Sequence, residues 1–161
     1  LALATAVNNN RTFFVTSVCA NRHPLFRDEQ NARIFLDVLF GYRKQERFSI
    51  HAFVLMPDHF HGVITPGDVI SLEKAVQFIK GGSSFRLGKV LPAKTEVWQR
   101  GFTLHRIESN EDFSKHVEYV HQNPVRAGLA KRAEEHPYSS AHPGFSVDQP
   151  PFSAGAKAPS F

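Results

Sequence analysis

The residues of this chain best able to do chemistry stand in two short stretches. The first is Leu55-Met56-Pro57-Asp58-His59-Phe60-His61-Gly62-Val63-Ile64. Side chains alternate faces along a strand, so His59 and His61 point to one side and Phe60 to the other. Two imidazoles side by side on a rigid strand make half of a divalent-metal site. The plainer reading is two polar positions on the wet face of a strand. The second stretch is Glu118-Tyr119-Val120-His121-Gln122-Asn123-Pro124-Val125-Arg126-Ala127-Gly128-Leu129. Tyr119 and Asn123 are four residues apart and share one face if this is the end of a helix. A tyrosine nucleophile and a third oxygen ligand would then be offered together to a metal held by His59 and His61. The competing reading of Tyr119 is a ring at the rim of the core with a hydrogen-bonded tip.

The elements that must position these groups follow from periodicity. Thr12 to Cys19 is rich in aromatic and β-branched residues and predicts a first strand. Asp28 is a fitting N-cap for a helix whose apolar residues Ala32, Phe35, Leu36, Leu39 and Phe40 recur at helical spacing. Phe48 to Met56 and His59 to Thr65 predict a hairpin turning at Pro57-Asp58. Ser71 caps a second helix with Leu72, Ala75, Val76 and Ile79 as its buried stripe, and Gly81-Gly82-Ser83-Ser84 is expected to break or loosen it. Val97 to Ile107 predicts a fourth strand interrupted at Arg100-Gly101. A third helix is expected from its cap at Asn110 to about Asn123, where Pro124 ends it. On that helix Asp112, His116, Tyr119 and Asn123 fall along one flank of the apolar face. The order β-α-β-β-α-β-α contains the ferredoxin-like unit: an α+β fold, an antiparallel sheet with helices on one face and the tyrosine-bearing helix after it. The free face of the sheet is then expected to present the histidines.

At 161 residues the chain is long enough for one domain with one sizeable core, and 42% hydrophobic against 21% charged is a soluble globular profile. The expected organisation is a leader over 1–10, one catalytic domain over 11–141 and a disordered tail over 142–161. A net charge of +4 favours a polyanionic partner. The single cysteine, Cys19, excludes an internal disulfide and a Cys-type zinc site. No apolar run approaches membrane-spanning length and no signal-peptide pattern is found, so no membrane partner and a cytoplasmic location are expected. Lys80, Arg86 and Lys89 cluster among small residues and are candidates to hold phosphates, with solvated helix charge as the alternative. Arg126, just after the expected helix, is another candidate phosphate contact.

The pair "MPDHFHGVI" and "YVHQNPVRAGL" resembles the single-tyrosine HUH transposases, and within them the REP-associated tyrosine transposases. The resemblance runs from about Arg11 to Ser140. It includes His23-Pro24-Leu25-Phe26, Trp98 to Phe102 and Pro137 to Ala141. It implies a ferredoxin-like core and metal-dependent cleavage and strand transfer on single-stranded or hairpin DNA with a palindromic stem. Tyr119 would be the nucleophile, through a 5′-phosphotyrosine intermediate. It further implies Mg²⁺ or Mn²⁺ on His59 and His61, with Asn123 where relatives carry a third polar ligand, often Gln. His105 and Arg106 fall where the family often carries a polar pair, near the metal or on DNA. Either a monomer or a homodimer fits. Two other readings stay open: a hairpin-binding protein that has lost transposition, and a small zinc hydrolase using His59, His61 and His105 or a carboxylate.

Overall fold

The computed structural model describes residues 11–152. The expected leader, and residues 153–161 of the expected tail, lie outside the described residues. The elements are β1 (Thr12–Val18), α1 (Glu29–Lys44), β2 (Phe48–Met56), β3 (His59–Pro66), α2 (Leu72–Leu87), β4 (Thr103–Ile107) and α3 (Asn110–Arg126). The four strands form one antiparallel sheet in the order β2-β3-β1-β4. Each βαβ crossover is therefore split by an intervening strand, and the fold is α+β.

One face of the sheet carries α1 and α2. Val15, Phe53, Leu55, Phe60 and Ile64 meet Phe35, Leu39, Val76 and Leu87 there, all buried. Each such large side chain contributes about 1.5–3 kcal/mol on leaving water. The inward residues of β2 change parity along the strand, from Phe48 and Ile50 to Phe53 and Leu55. A register shift between Ile50 and Ala52 absorbs the change, leaving His51 as the extra residue of a bulge. Without it one half of β2 would turn its apolar side chains away from this core. In β3, a Cβ on Gly62 would lie 2.8 Å from the Phe60 ring, so the glycine makes room for that ring over the core.

The other face is not free. The helix α3 lies across it, and Phe113 and Val120 pack on Ala52, Val54, Met56, Val63 and Ile107. Residues 142–152, expected to lose order, are packed too. Phe145 stacks on Phe40 at 5.7 Å. Asp148 pairs with Arg43 at 2.9 Å and accepts the Ile50 N–H at 2.8 Å.

Both expected caps at Asp28 and Ser71 form, each accepting the backbone N–H three residues on. Four other boundaries differ from expectation. The strand expected from Val97 begins only at Thr103, its first half reduced to a single bridge from Trp98 to Cys19. The helix α2 runs unbroken through Gly81-Gly82 because packing outweighs propensity there. A Cβ at Gly82 would meet Tyr42 at 2.8 Å and Val38 at 3.0 Å, so glycine lets α1 approach closely. Ser83 is buried, donates to the Ile79 carbonyl at 2.6 Å and accepts from Trp98 Nε1 at 2.9 Å. The N-cap of α3 is Ser109 rather than Asn110, its hydroxyl accepting from Asp112 N at 3.0 Å. Pro124 does not end α3. Proline removes its own N–H, not its carbonyl, and Pro124 O accepts from Leu129 N at 2.8 Å while Gly128 N donates to Val125 O at 3.0 Å. Gly128, at φ +76°, supplies the left-handed residue that closes this pair of bonds.

Candidate active site

His59 and His61 share one side of β3, their ring centroids 4.7 Å apart. Each is oriented through Nδ1. His59 Nδ1 donates to Asp58 Oδ1 at 2.8 Å. His61 Nδ1 lies 2.8 Å from Thr16 Oγ1, on the strand paired beside it. No hydrogen bond among the described residues engages Nε2 of either ring. Burial, with the neighbouring His59 and Arg126, pushes the pKa of His61 down from 6.5 to about 3, so its imidazole is neutral. A metal needs neutral imidazole with one ring nitrogen free and the other held. This pair fits a divalent ion on that chemistry. Asp58 is more than a turn residue. Burial raises its carboxyl pKa, but hydrogen bonds from His59 and Arg22 outweigh that and hold it below the usual value.

The β2–β3 turn is itself fixed by the loop after β1. Cys19 N donates to Asp58 O at 2.9 Å and Phe26 N to Pro57 O at 3.0 Å. Asn21 and Arg22 take left-handed backbone angles, and Arg22 Nη1 reaches Asp58 Oδ2 at 3.1 Å. Arg22, Arg27, Asp58, His59, Ala127 and Leu129 help line a hollow of about 340 Å³ beside the histidines. A larger hollow of about 710 Å³ opens elsewhere, beside Arg11, Arg43 and Asp148, and holds none of the expected site residues.

Tyr119 stands beside the pair. Its ring centroid is 5.6 Å from that of His61 and 5.8 Å from that of Phe14. The Arg126 guanidinium lies 4.2 Å over the tyrosine ring, and Arg126 Nη2 donates to Tyr119 O at 2.7 Å. Tyr119 is nonetheless 44% exposed. The exposed tyrosine is thus flanked by a cation, Arg126, and by the His61 imidazole. Asn123 follows one turn later on α3, half-buried.

His105 does not stand with Arg106. Strand alternation sends them to opposite faces of β4; His105 pairs across from Phe14 and stacks on His116 at 4.5 Å. Lys80 and Arg86 lie on α2 and Lys89 just past its end, across the sheet from the histidines. Lys80 Nζ donates to the Gln99 and Gly101 carbonyls at 2.9 and 2.5 Å, and burial lowers its pKa. Arg86 faces Asp37 at 3.9 Å, and Lys89 sits 4.7 Å over Phe85. These three do not converge on one point.

Sequence reasoning does not single out Thr16 or Phe14. Thr12 and Thr16 share one side of a mostly apolar strand, a usable sign of a polar neighbour. Nothing local distinguishes Phe14 from Phe13.

Known proteins resemble this chain in sequence and in fold. The sequence pattern of the family described as "Transposase IS200 like" matches residues 9–123, a span that contains His59, His61, Tyr119 and Asn123. A REP-associated tyrosine transposase of Escherichia coli K12 is 26% identical over 132 residues, 81% of this chain and 76% of that protein. A putative REP-associated tyrosine transposase of Haemophilus influenzae is 26% identical over 59% of this chain and 60% of its own length. In fold, the chain is similar to a REP-associated tyrosine transposase solved bound to a REP hairpin. The TM-score is 0.70 at 24% identity, over 88% of this chain and 86% of that one. A putative transposase from Deinococcus radiodurans R1 is similar with a TM-score of 0.53 at 19% identity, over 68% and 87% of the two chains. The enzyme class expected from the two motifs is thus the one found, and the chain belongs to the IS200-like transposase family.

Proposed function

We propose that this protein cleaves and rejoins single-stranded DNA beside a hairpin stem of the REP type, with Tyr119 as nucleophile. The observation that carries this reading is the contact of the Tyr119 ring with His61 within one chain, 5.6 Å between centroids. Tyr119 Oη attacks the scissile phosphorus and loses its proton as the O–P bond forms. The bond to the 3′ oxygen breaks, leaving a 5′-phosphotyrosine and a free 3′-hydroxyl. Attack by a 3′-hydroxyl on the phosphotyrosine reverses the step and restores the phenol, so no bond energy is lost between cleavage and joining. His59 and His61 would hold Mg²⁺ or Mn²⁺ through their Nε2 atoms, with Asn123 as third ligand. Such an ion supplies charge stabilisation and leaving-group activation when bound. Arg126, already over the tyrosine ring, holds a phosphate oxygen near Oη.

Residues 11–141, with 142–152 packed against them, form the one domain that carries this chemistry, in the cytoplasm where the DNA lies. Because tyrosine and histidines meet in one chain, cleavage needs no second copy. Arg86, Lys89 and Arg106 lie off the histidine face and would contact the stem backbone, whereas His105, on the histidine face, would lie near the cleaved strand. Lys80, its donors given to carbonyls, serves DNA binding by fixing the 99–101 turn.

The test is a labelled single-stranded oligonucleotide carrying a palindrome and its flank, incubated with Mn²⁺ or Mg²⁺ and resolved on a denaturing gel. A covalent protein–DNA band that needs metal and vanishes in Tyr119→Phe is expected. Tight binding without cleavage over a range of palindromes would favour a hairpin binder that has lost transposition. Cleavage surviving Tyr119→Phe would overturn the tyrosine mechanism in favour of a zinc-type hydrolase.

A further inference from the structure

We propose that His105, Asp112 and His116 form a second divalent-cation site, distinct from the His59/His61 pair and suited to a borderline ion such as Zn²⁺. One donor atom from each of the three lies within 4.8 Å of the other two. The carboxylate faces both imidazoles at once. Asp112 Oδ2 is 2.9 Å from His105 Nε2, and Asp112 Oδ1 is 3.1 Å from His116 Nδ1. The two rings stack nearly parallel, 17° apart.

Two imidazole nitrogens and one carboxylate oxygen are a recognised zinc donor set that leaves a coordination position open. Zinc bonds of about 2.0–2.2 Å place neighbouring ligand atoms about 3.3–3.6 Å apart in a tetrahedral set. Both Asp112–histidine distances are already near that, and the donor atoms of all three residues lie within 4.8 Å, so a small side-chain adjustment completes the set. Without a cation, ring protons bridge these atoms, and His116 Nδ1 is also 2.9 Å from the Asp112 carbonyl. A bound ion takes the place of those protons. The side chains of Asp112 and His116 are about a quarter exposed and that of His105 about half, so an ion can enter from solvent.

The cluster is not part of the first site. The Phe14 ring stands between them, its centroid 5.0 Å from that of His116 and 5.2 Å from that of His61. Nor does it depend on what Tyr119 does. Its place in the fold gives it a role: it ties the edge strand β4 to the first turns of α3, one turn before Tyr119. An ion there holds the tyrosine helix on the sheet.

The experiment is equilibrium dialysis of Zn²⁺ against the full chain, free of any affinity tag, in a His59→Ala/His61→Ala background that removes the first pair. One ion per chain is expected, with a rise in thermal midpoint on adding Zn²⁺. Adding His105→Ala should weaken binding roughly tenfold or more and abolish that rise. An unchanged midpoint in EDTA shows that the half-exposed His105 was removed without unfolding the chain; Asp112→Asn, which keeps side-chain shape, provides a second variant with the same expected loss. No ion in the His59→Ala/His61→Ala background would overturn the proposal, as would an ion whose affinity is indifferent to both His105→Ala and Asp112→Asn.

Discussion

The two faces of the sheet are made from alternate residues of the same strands, yet they do opposite work. Toward α1 and α2, β3 contributes Phe60 and Ile64 to a dry core with Phe26, Phe35 and Phe53. Toward α3, the same strand contributes His59, His61 and Thr65, with a smaller apolar cluster beneath Phe113 and Val120. The first face is filled, so its side chains are fixed by volume. The second is only partly covered, so its polar side chains are fixed by hydrogen bonds: Asp58 to His59, Thr16 to His61, Asp112 to His105 and His116. A site that must accept a phosphate backbone needs the second arrangement, and one packed face supplies the rigidity it lacks.

Substitutions can break that contrast. The largest effect is expected from Tyr119→Phe, which should take cleavage to background on the denaturing gel while thermal midpoint and hairpin affinity hold. Phe35→Ala should do the reverse. Denaturant unfolding should show a loss of about 3–5 kcal/mol from cavity formation, with the histidine geometry intact in whatever fraction stays folded. Asp58→Asn should lower metal affinity at the His59/His61 pair by roughly 10–100-fold, read by Mn²⁺ titration, at small cost in stability.

Smaller effects sharpen the comparison. Gly82→Ala should destabilise by about 1–3 kcal/mol because its methyl group enters the α1–α2 contact. Gly81→Ala, one residue away with nothing within 4 Å of its Cβ, should stabilise by up to about 1 kcal/mol. Equal effects at both positions would deny the close helix approach.

The smallest effect is a pH slope. Burial lowers the pKa of His136 from 6.5, outweighing its bond to the Leu55 carbonyl, and burial likewise lowers those of His51 and His121. Below about pH 6.5 the unfolded chain binds protons that the folded chain refuses. Stability is therefore full above that pH and falls as pH drops toward the depressed folded values. Each such histidine adds at most about 1.4 kcal/mol per pH unit, and His136→Gln should flatten the slope of unfolding free energy between pH 7 and 5.

The sequence by itself determined what depends on neighbours a few residues away. Alternation placed His59 and His61 together, and side-chain capping set the starts of α1 and α2 at Asp28 and Ser71. Helical spacing put Asp112, His116 and Tyr119 on one flank. Tertiary structure decided whatever needs a partner far along the chain. It laid α3 over the histidine face and so brought Tyr119 to His61. It chose Thr16 to orient His61, carried α2 through Gly81-Gly82, and packed residues 142–152 on α1 and β2. The reason is physical: backbone periodicity and caps are settled by local hydrogen bonds and sterics. Which apolar face meets which, and which polar group turns inward, is settled by packing across the whole chain.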